Sequence, residues 1–175
     1  MVLERLLPQK RAAILERWSQ LILETYPADT SRFLKQEKDR FINPVGYTIS
    51  QEIEVVYDEL LQRMNSDKLA ACLDNIIRIR AVQDFSPSQT VAFIFLLKKA
   101  IREELTSEIK ENRVFEELLE FEARIDKLVL LAFDIYMKCR EKVFEIRLNE
   151  AKVERERVLK LLERTNLTME SQSEG

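Results

Sequence analysis

Phe85-Ser86-Pro87-Ser88-Gln89-Thr90-Val91-Ala92-Phe93-Ile94-Phe95-Leu96-Leu97 is the stretch that decides the fold class. Its first five residues read as a helix start. Ser86 can accept hydrogen bonds from first-turn amides, and Gln89 can reach back to complete a capping box. Pro87 suits the first helical position, because the amide it lacks is one that a helix start leaves unpaired. Phe85, just ahead of the cap, is placed to act as a hydrophobic staple. From Val91 to Leu97 the residues are apolar on nearly every side of a helix, so this element must be buried against several others at once. It is the expected central helix of an all-α protein.

The flanking segments repeat the same grammar. Asn65-Ser66 opens a helix that carries Leu69, Leu73, Ile76, Ile77 and Ile79 as far as Val82. Before it, Asn43 reads as an N-cap and Pro44 as a first helical residue, with Ile49, Ile53, Val56, Tyr57, Leu60 and Leu61 on one side of the helix that follows. A first long helix is expected from Pro8 to just before Pro27. Its positions Ile14, Leu15, Trp18, Leu21, Ile22 and Tyr26 recur at three- and four-residue spacing, which makes Trp18 a core residue sooner than a ligand platform. A short helix follows Pro27-Ala28-Asp29, capped by Asp29 or Thr30, with Phe33 and Leu34 inward.

C-terminal to the central helix, the polar segment from Thr106 to Arg113 predicts a turn. From Val114 no Pro or Gly interrupts the chain until Gly175. The first half of that stretch, through Leu118, Ile125, Leu128, Leu131, Ala132, Ile135 and Tyr136, is rich enough to complete a core. The second half thins to Phe144, Leu148, Ala151, Arg155, Val158 and Leu162, whose steps of four and three make a seven-residue repeat with one polar seam position. A stripe that narrow cannot hold a helix alone and needs a partner helix, for which a second copy of itself suffices. The expected organisation is a globular domain over 1–148, a coiled-coil extension over 149–165 and a disordered tail over 166–175 that lacks apolar content.

Composition supports the class and narrows the chemistry. Only 2 Gly and 4 Pro occur in 175 residues, too few for the turns that a sheet protein needs. With 46% hydrophobic and 34% charged residues, a soluble domain with a charged exterior is expected. A net charge of −3 argues against a nucleic-acid partner. No apolar run approaches the ~18 residues that cross a bilayer, and the N-terminus has no export signature, so no membrane insertion and a cytoplasmic location are expected. There is no histidine. That removes the usual general acid–base, zinc ligand and proximal haem ligand together. Cys72 and Cys139 have no CxxC partner and read as small buried hydrophobes. With no glycine-rich loop and no carboxylate spacing that points to catalysis, neither an enzyme nor a cofactor is expected.

Two motifs carry a resemblance. Arg40-Phe41-Ile42-Asn43-Pro44-Val45-Gly46 and Arg78-Ile79-Arg80-Ala81-Val82-Gln83-Asp84-Phe85-Ser86-Pro87-Ser88-Gln89 are similar to the N-terminal domain of RsbT co-antagonist proteins, the sensor subunits of bacterial stressosomes. The resemblance covers residues ~10–148 in order, consistent with one domain. It implies a non-haem, globin-like, dimeric sensor domain whose last helix passes a conformational change onward. In that family the helix leads into a STAS domain that contacts a kinase. Here the sequence stops soon after the helix, so the expectation is a free-standing module or a piece of a larger sensor, with a STAS or kinase protein as possible downstream partner. The motifs nominate Arg40, Asn43, Arg78, Arg80, Gln83 and Asp84 as a signal or partner site, against the plainer reading that they anchor helix ends. Two other functions stay open, a structural or adaptor helical protein and a carrier of a small apolar ligand.

Overall fold

Asn43, Asn65 and Ser86 do cap helices, and the elements between them follow from those starts. A computed structural model describes residues 2–62, 65–83, 85–111 and 114–173, with side chains described as far as Leu162. Among the described residues every element is an α-helix: α1 Val2–Gln9, α2 Arg11–Leu23, α3 Ala28–Gln36, α4 Pro44–Leu61, α5 Ser66–Ala81, α6 Pro87–Ala92, α7 Phe95–Glu104, α8 Thr106–Lys110 and α9 Phe115–Ser173. The chain divides into two compact units, Met1–Tyr136 and Met137–Gly175. The sequence pattern alone sets its division later, at 148.

In the first unit α4 packs on α5 and α2 on α7, and Ile14, Trp18, Ile22, Ile53, Tyr57, Leu73 and Phe93 are buried between them. The part of α9 that belongs to this unit buries Leu118, Phe121, Ile125, Leu128, Ala132 and Ile135. Polar ties join it to α7. Arg102 forks onto both oxygens of the buried Glu122 at 2.6 and 2.7 Å, and Lys98 Nζ donates to Asp126 at 2.6 Å.

Several expected boundaries move. The first helix does not begin at Pro8. Pro8 lies inside α1, which buries Leu3 and Leu7 four residues apart, and α2 starts after Lys10. Three long-range bonds support this extra helix. Glu117 of α9 accepts from the Val2 and Leu3 amides at 3.1 and 2.7 Å, and the Tyr57 hydroxyl donates to the Leu7 carbonyl at 3.0 Å. α3 begins at Ala28 with no side-chain cap, so neither Asp29 nor Thr30 plays that part. Its phase turns Ser31 and Leu34 inward and leaves Phe33 exposed.

The central helix is broken. α6 ends at Ala92 and α7 starts at Phe95, with i→i−3 bonds across the step (Ile94 N to Val91 O, Leu96 N to Phe93 O, each 3.3 Å). Trp18 meets the chain at this step: its buried Nε1–H donates to the Phe93 carbonyl at 2.8 Å, which it shares with the Leu96 amide. The expected turn over 106–113 contains the short helix α8, while Asn112 and Arg113 lie outside the described residues. α9 continues to Ser173, helical past Thr165 where composition led us to expect an irregular tail. No Gly or Pro precedes Gly175 to stop it.

Candidate functional site

The loop from Asp39 to Gly46 is built around one side chain. Asn43 is buried; its Nδ2 donates to the carbonyls of Leu34 (3.0 Å) and Glu37 (2.9 Å), and its Oδ1 accepts from the Gly46 amide (2.8 Å). One asparagine therefore finishes α3 and starts α4. Asp39 folds the tip by accepting from the amides of Phe41, through Oδ1 at 2.7 Å, and of Asn43, through its carbonyl at 2.8 Å. Gly46 is required by packing, since a Cβ there would stand 2.4 Å from Asn43 Nδ2. Arg40 is exposed and lies over the Phe41 ring at 4.6 Å, and Phe41 and Ile42 face solvent.

The second motif places its residues differently. Arg78 is exposed and ion-paired to Asp74 one turn back at 2.7 Å. Arg80, two residues on, is 1% exposed. Helical phase is the reason: Arg80 follows Ile77, Ile76 and Leu73 by three, four and seven residues, so it shares their buried face and Val82 is turned out to solvent. The guanidinium stacks 4.0 Å from the Phe85 ring centroid and lies 5.5 and 5.7 Å from those of Tyr26 and Phe93. It donates to the Gln89 carbonyl at 3.0 Å and to Thr25 Oγ1 at 3.3 Å. Burial pulls the Arg80 pKa down and pushes that of Tyr26 up, since each charged form loses hydration. Phe85, the expected staple, meets the Tyr26 ring edge-on at 5.1 Å. Ser86 and Gln89 form the expected capping box.

Gln83 is half-buried on the turn after α5, and Asp84 lies outside the described residues. Among the described residues no hydrogen bond, ion pair or ring contact joins the Arg40–Asn43 loop to the Arg80 cluster. Sequence reading missed Thr25 and Tyr26, whose only signal is their position at the end of the Trp18 stripe. An open groove of about 700 Å³ lies between α2, α3 and α4, lined by Leu15, Leu34, Ile53 and Tyr47 together with charged residues such as Glu16 and Lys38. Asn43 and Gly46 reach it; Arg80 and Gln83 do not.

Reactive chemistry is sparse in these places. Among the described residues no cluster of His, Cys, Asp or Glu could hold a metal ion. The Cys72 thiol is buried, and desolvation followed by the nearby Glu52 pushes its pKa up to about 12, far from a reactive thiolate. Among the described residues no helix is long and apolar enough to cross a membrane. In the second unit, Phe144, Leu148, Ala151, Arg155, Val158 and Leu162 are all exposed, and so are Val143, Ile146, Val153, Leu159 and Leu161.

With this geometry in hand, comparison with known proteins decides the family. Residues 12–151 match the family described as the RsbT co-antagonist protein rsbRD N-terminal domain. The chain belongs to that family. The rsbRD N-terminal domains are regulatory domains of the stressosome type and not a catalytic family. The matched span contains both motifs and runs along α9 past the end of the first unit. A protein of Archaeoglobus fulgidus, described only as uncharacterized, is 27% identical over 168 residues, which are 93% of this chain and 98% of that one. No solved structure matches the chain.

Proposed function

We propose that this rsbRD-type domain is a non-enzymatic signal-input module that dimerises through α9 and passes a conformational change along that helix without haem. The observation that supports the reading is the exposed stripe from Phe144 to Leu162 at a seven-residue repeat, with Arg155 on its seam. Leaving that much apolar surface in water costs on the order of 25 cal/mol per Å², which a second copy would recover. Residues 144–162 span about 28 Å at the helical rise, enough to carry a displacement away from a globin-like sensor body. A marginal pairing suits a switch, because a small input energy then shifts its population. The downstream partner would be a STAS or kinase protein in the cytoplasm.

Light scattering at tens of micromolar tests the reading directly. The full chain should run as a dimer, and truncation before Lys142 should weaken the dimer and remove more helicity than the deleted residues contribute. A monomeric full chain would end the proposal, and a truncated chain that dimerises equally well would move the interface off this stripe. The groove between α2, α3 and α4 favours one second reading, a carrier of a small ligand. Native mass spectrometry of the purified protein should then find a bound compound released on denaturation.

A further inference from the structure

Phe41 and Ile42 are 80% and 57% exposed at the tip of the loop between α3 and α4. The loop is held in that shape from within. Asp39 accepts from the amides of Phe41 and Asn43, and Glu37 Oε1 accepts from the Asp39 amide at 2.9 Å. The three bonds of the buried Asn43 side chain anchor the base. A tip ordered in advance loses little conformational entropy when it binds.

The groove between α2, α3 and α4 adjoins this tip. Its lining includes Lys38, Asn43 and Tyr47, on either side of the tip in sequence, so projection and recess share one surface. Leu15, Leu34 and Ile53 give the groove its apolar lining, and Glu16 adds an exposed carboxylate. Its volume of about 700 Å³ exceeds that of the Phe41 and Ile42 side chains together. Arg40 is exposed and lies over the Phe41 ring at 4.6 Å, so it travels with the tip. A stacked guanidinium keeps its in-plane N–H groups for a carboxylate. The charges before the tip alternate through Glu37, Lys38, Asp39 and Arg40, and the chain carries −3 overall, so an anionic lipid surface has little hold on it.

We propose that this surface joins two copies of the chain, each placing Phe41 and Ile42 in the other's groove with Arg40 against Glu16. A surface that carries both a projection and a matching recess is self-complementary, and one two-fold axis makes both contacts at once. Aromatic residues and arginine are the types enriched in such contacts. All of these residues belong to the first unit. The contact is therefore separate from the stripe beyond Tyr136, goes beyond the signal-input reading and does not depend on it. With so few anchors the interface is weak, and it acts between domains already held close together.

Sedimentation velocity of the full chain from tens of micromolar to the millimolar range tests the contact. The mean mass should rise above its value at tens of micromolar, whatever α9 contributes there, and Phe41→Ala should weaken that association by about tenfold. A charge exchange identifies the partner. Arg40→Glu and Glu16→Arg each put like charges into both contacts of a pair, so either variant alone should associate about tenfold more weakly. An equimolar mixture of the two puts opposite charges into both contacts and should regain the affinity of the unaltered chain. Phe41, Arg40 and Glu16 are all exposed, so the variants keep the fold, which circular dichroism checks. A mass that does not rise, a Phe41→Ala chain that associates as before, or a mixture no better than its components would overturn the interface. A compound found bound in the groove, or phosphatidylglycerol vesicles bound through Phe41 in place of self-association, would overturn it too and give the surface to that occupant.

Discussion

Asn43 and Gly46 act as a pair, which makes a sharp prediction at the level of single residues. Alanine normally stabilises a helix over glycine by about 1 kcal/mol. At Gly46 the added Cβ meets Asn43 Nδ2 at 2.4 Å, and that amide cannot swing away because the Leu34 and Glu37 carbonyls hold it. Gly46→Ala should therefore destabilise the protein by roughly 1–3 kcal/mol, as overpacking does. In an Asn43→Ala background the obstacle is gone, and the same change should become neutral or stabilising. Chemical denaturation of the four proteins reads this as a double-mutant cycle; additive effects would show that the contact is not what constrains position 46. Much of this was legible beforehand, since Asn43-Pro44 announces a cap. The demand on Gly46 was not, because it depends on a side chain folded back across the helix start. Arg80 shows the converse. The helical period from Leu73 and Ile77 places it on the core face, a position that residue type alone, which suggests a partner site or a helix-end anchor, does not announce.

At the level of elements, capped starts were easy to read and interruptions were not. Pro87, Pro44 and the asparagines carry local signals, whereas the step between α6 and α7 is bonded to the distant Trp18 and the first amides of α1 are bonded to the distant Glu117. Ion pairs fasten several of these joints and should set the acid stability. Glu59 is held below the usual carboxylate range by Lys68 and by the Asn65 amide, which tie α4 to α5. Glu103 is lowered by Arg17, and Glu108 is drawn down to about 2 by the Ser107 hydroxyl, its own amide and Lys10. Their pKa values are lower in the folded protein than in the unfolded chain. Their contribution is therefore present above the unfolded value near 4.5 and lost as pH falls through the folded values, to about 2 for Glu108. The thermal midpoint should fall steadily below pH 4.5. Glu59→Gln and Glu108→Gln should flatten that slope while lowering the midpoint at neutral pH. A midpoint independent of pH between 5 and 2.5 would show that these joints contribute nothing.

For the whole molecule, the surface of α9 carries the consequences of the proposed dimer, and Arg155 is the place to test its register. The sequence showed one stripe, Phe144 to Leu162. Val143, Ile146, Val153 and Leu161 are exposed as well, and were overlooked because their spacing is broken by Glu150 and Arg157. If the seam pairs with itself, two Arg155 side chains share one layer, and each must give up hydration or bend away from the axis. That penalty is removed by Arg155→Leu, which also adds apolar area to the seam. The substitution should tighten the dimer by at least about tenfold, the equivalent of ~1.4 kcal/mol. Leu148→Glu, one seam step from Ala151, should loosen it by a similar factor. Sedimentation equilibrium between 1 and 100 micromolar, on an order-of-magnitude scale suited to a marginal pair, reads both directions in one experiment. The same exchange at Val153, off the seam, is the control. If Val153→Glu weakens association as much as Leu148→Glu, the second apolar line takes part and the helices meet as a broader bundle. If neither glutamate matters and Arg155→Leu leaves the equilibrium where it was, α9 is not the interface, and a signal leaving this domain takes another route.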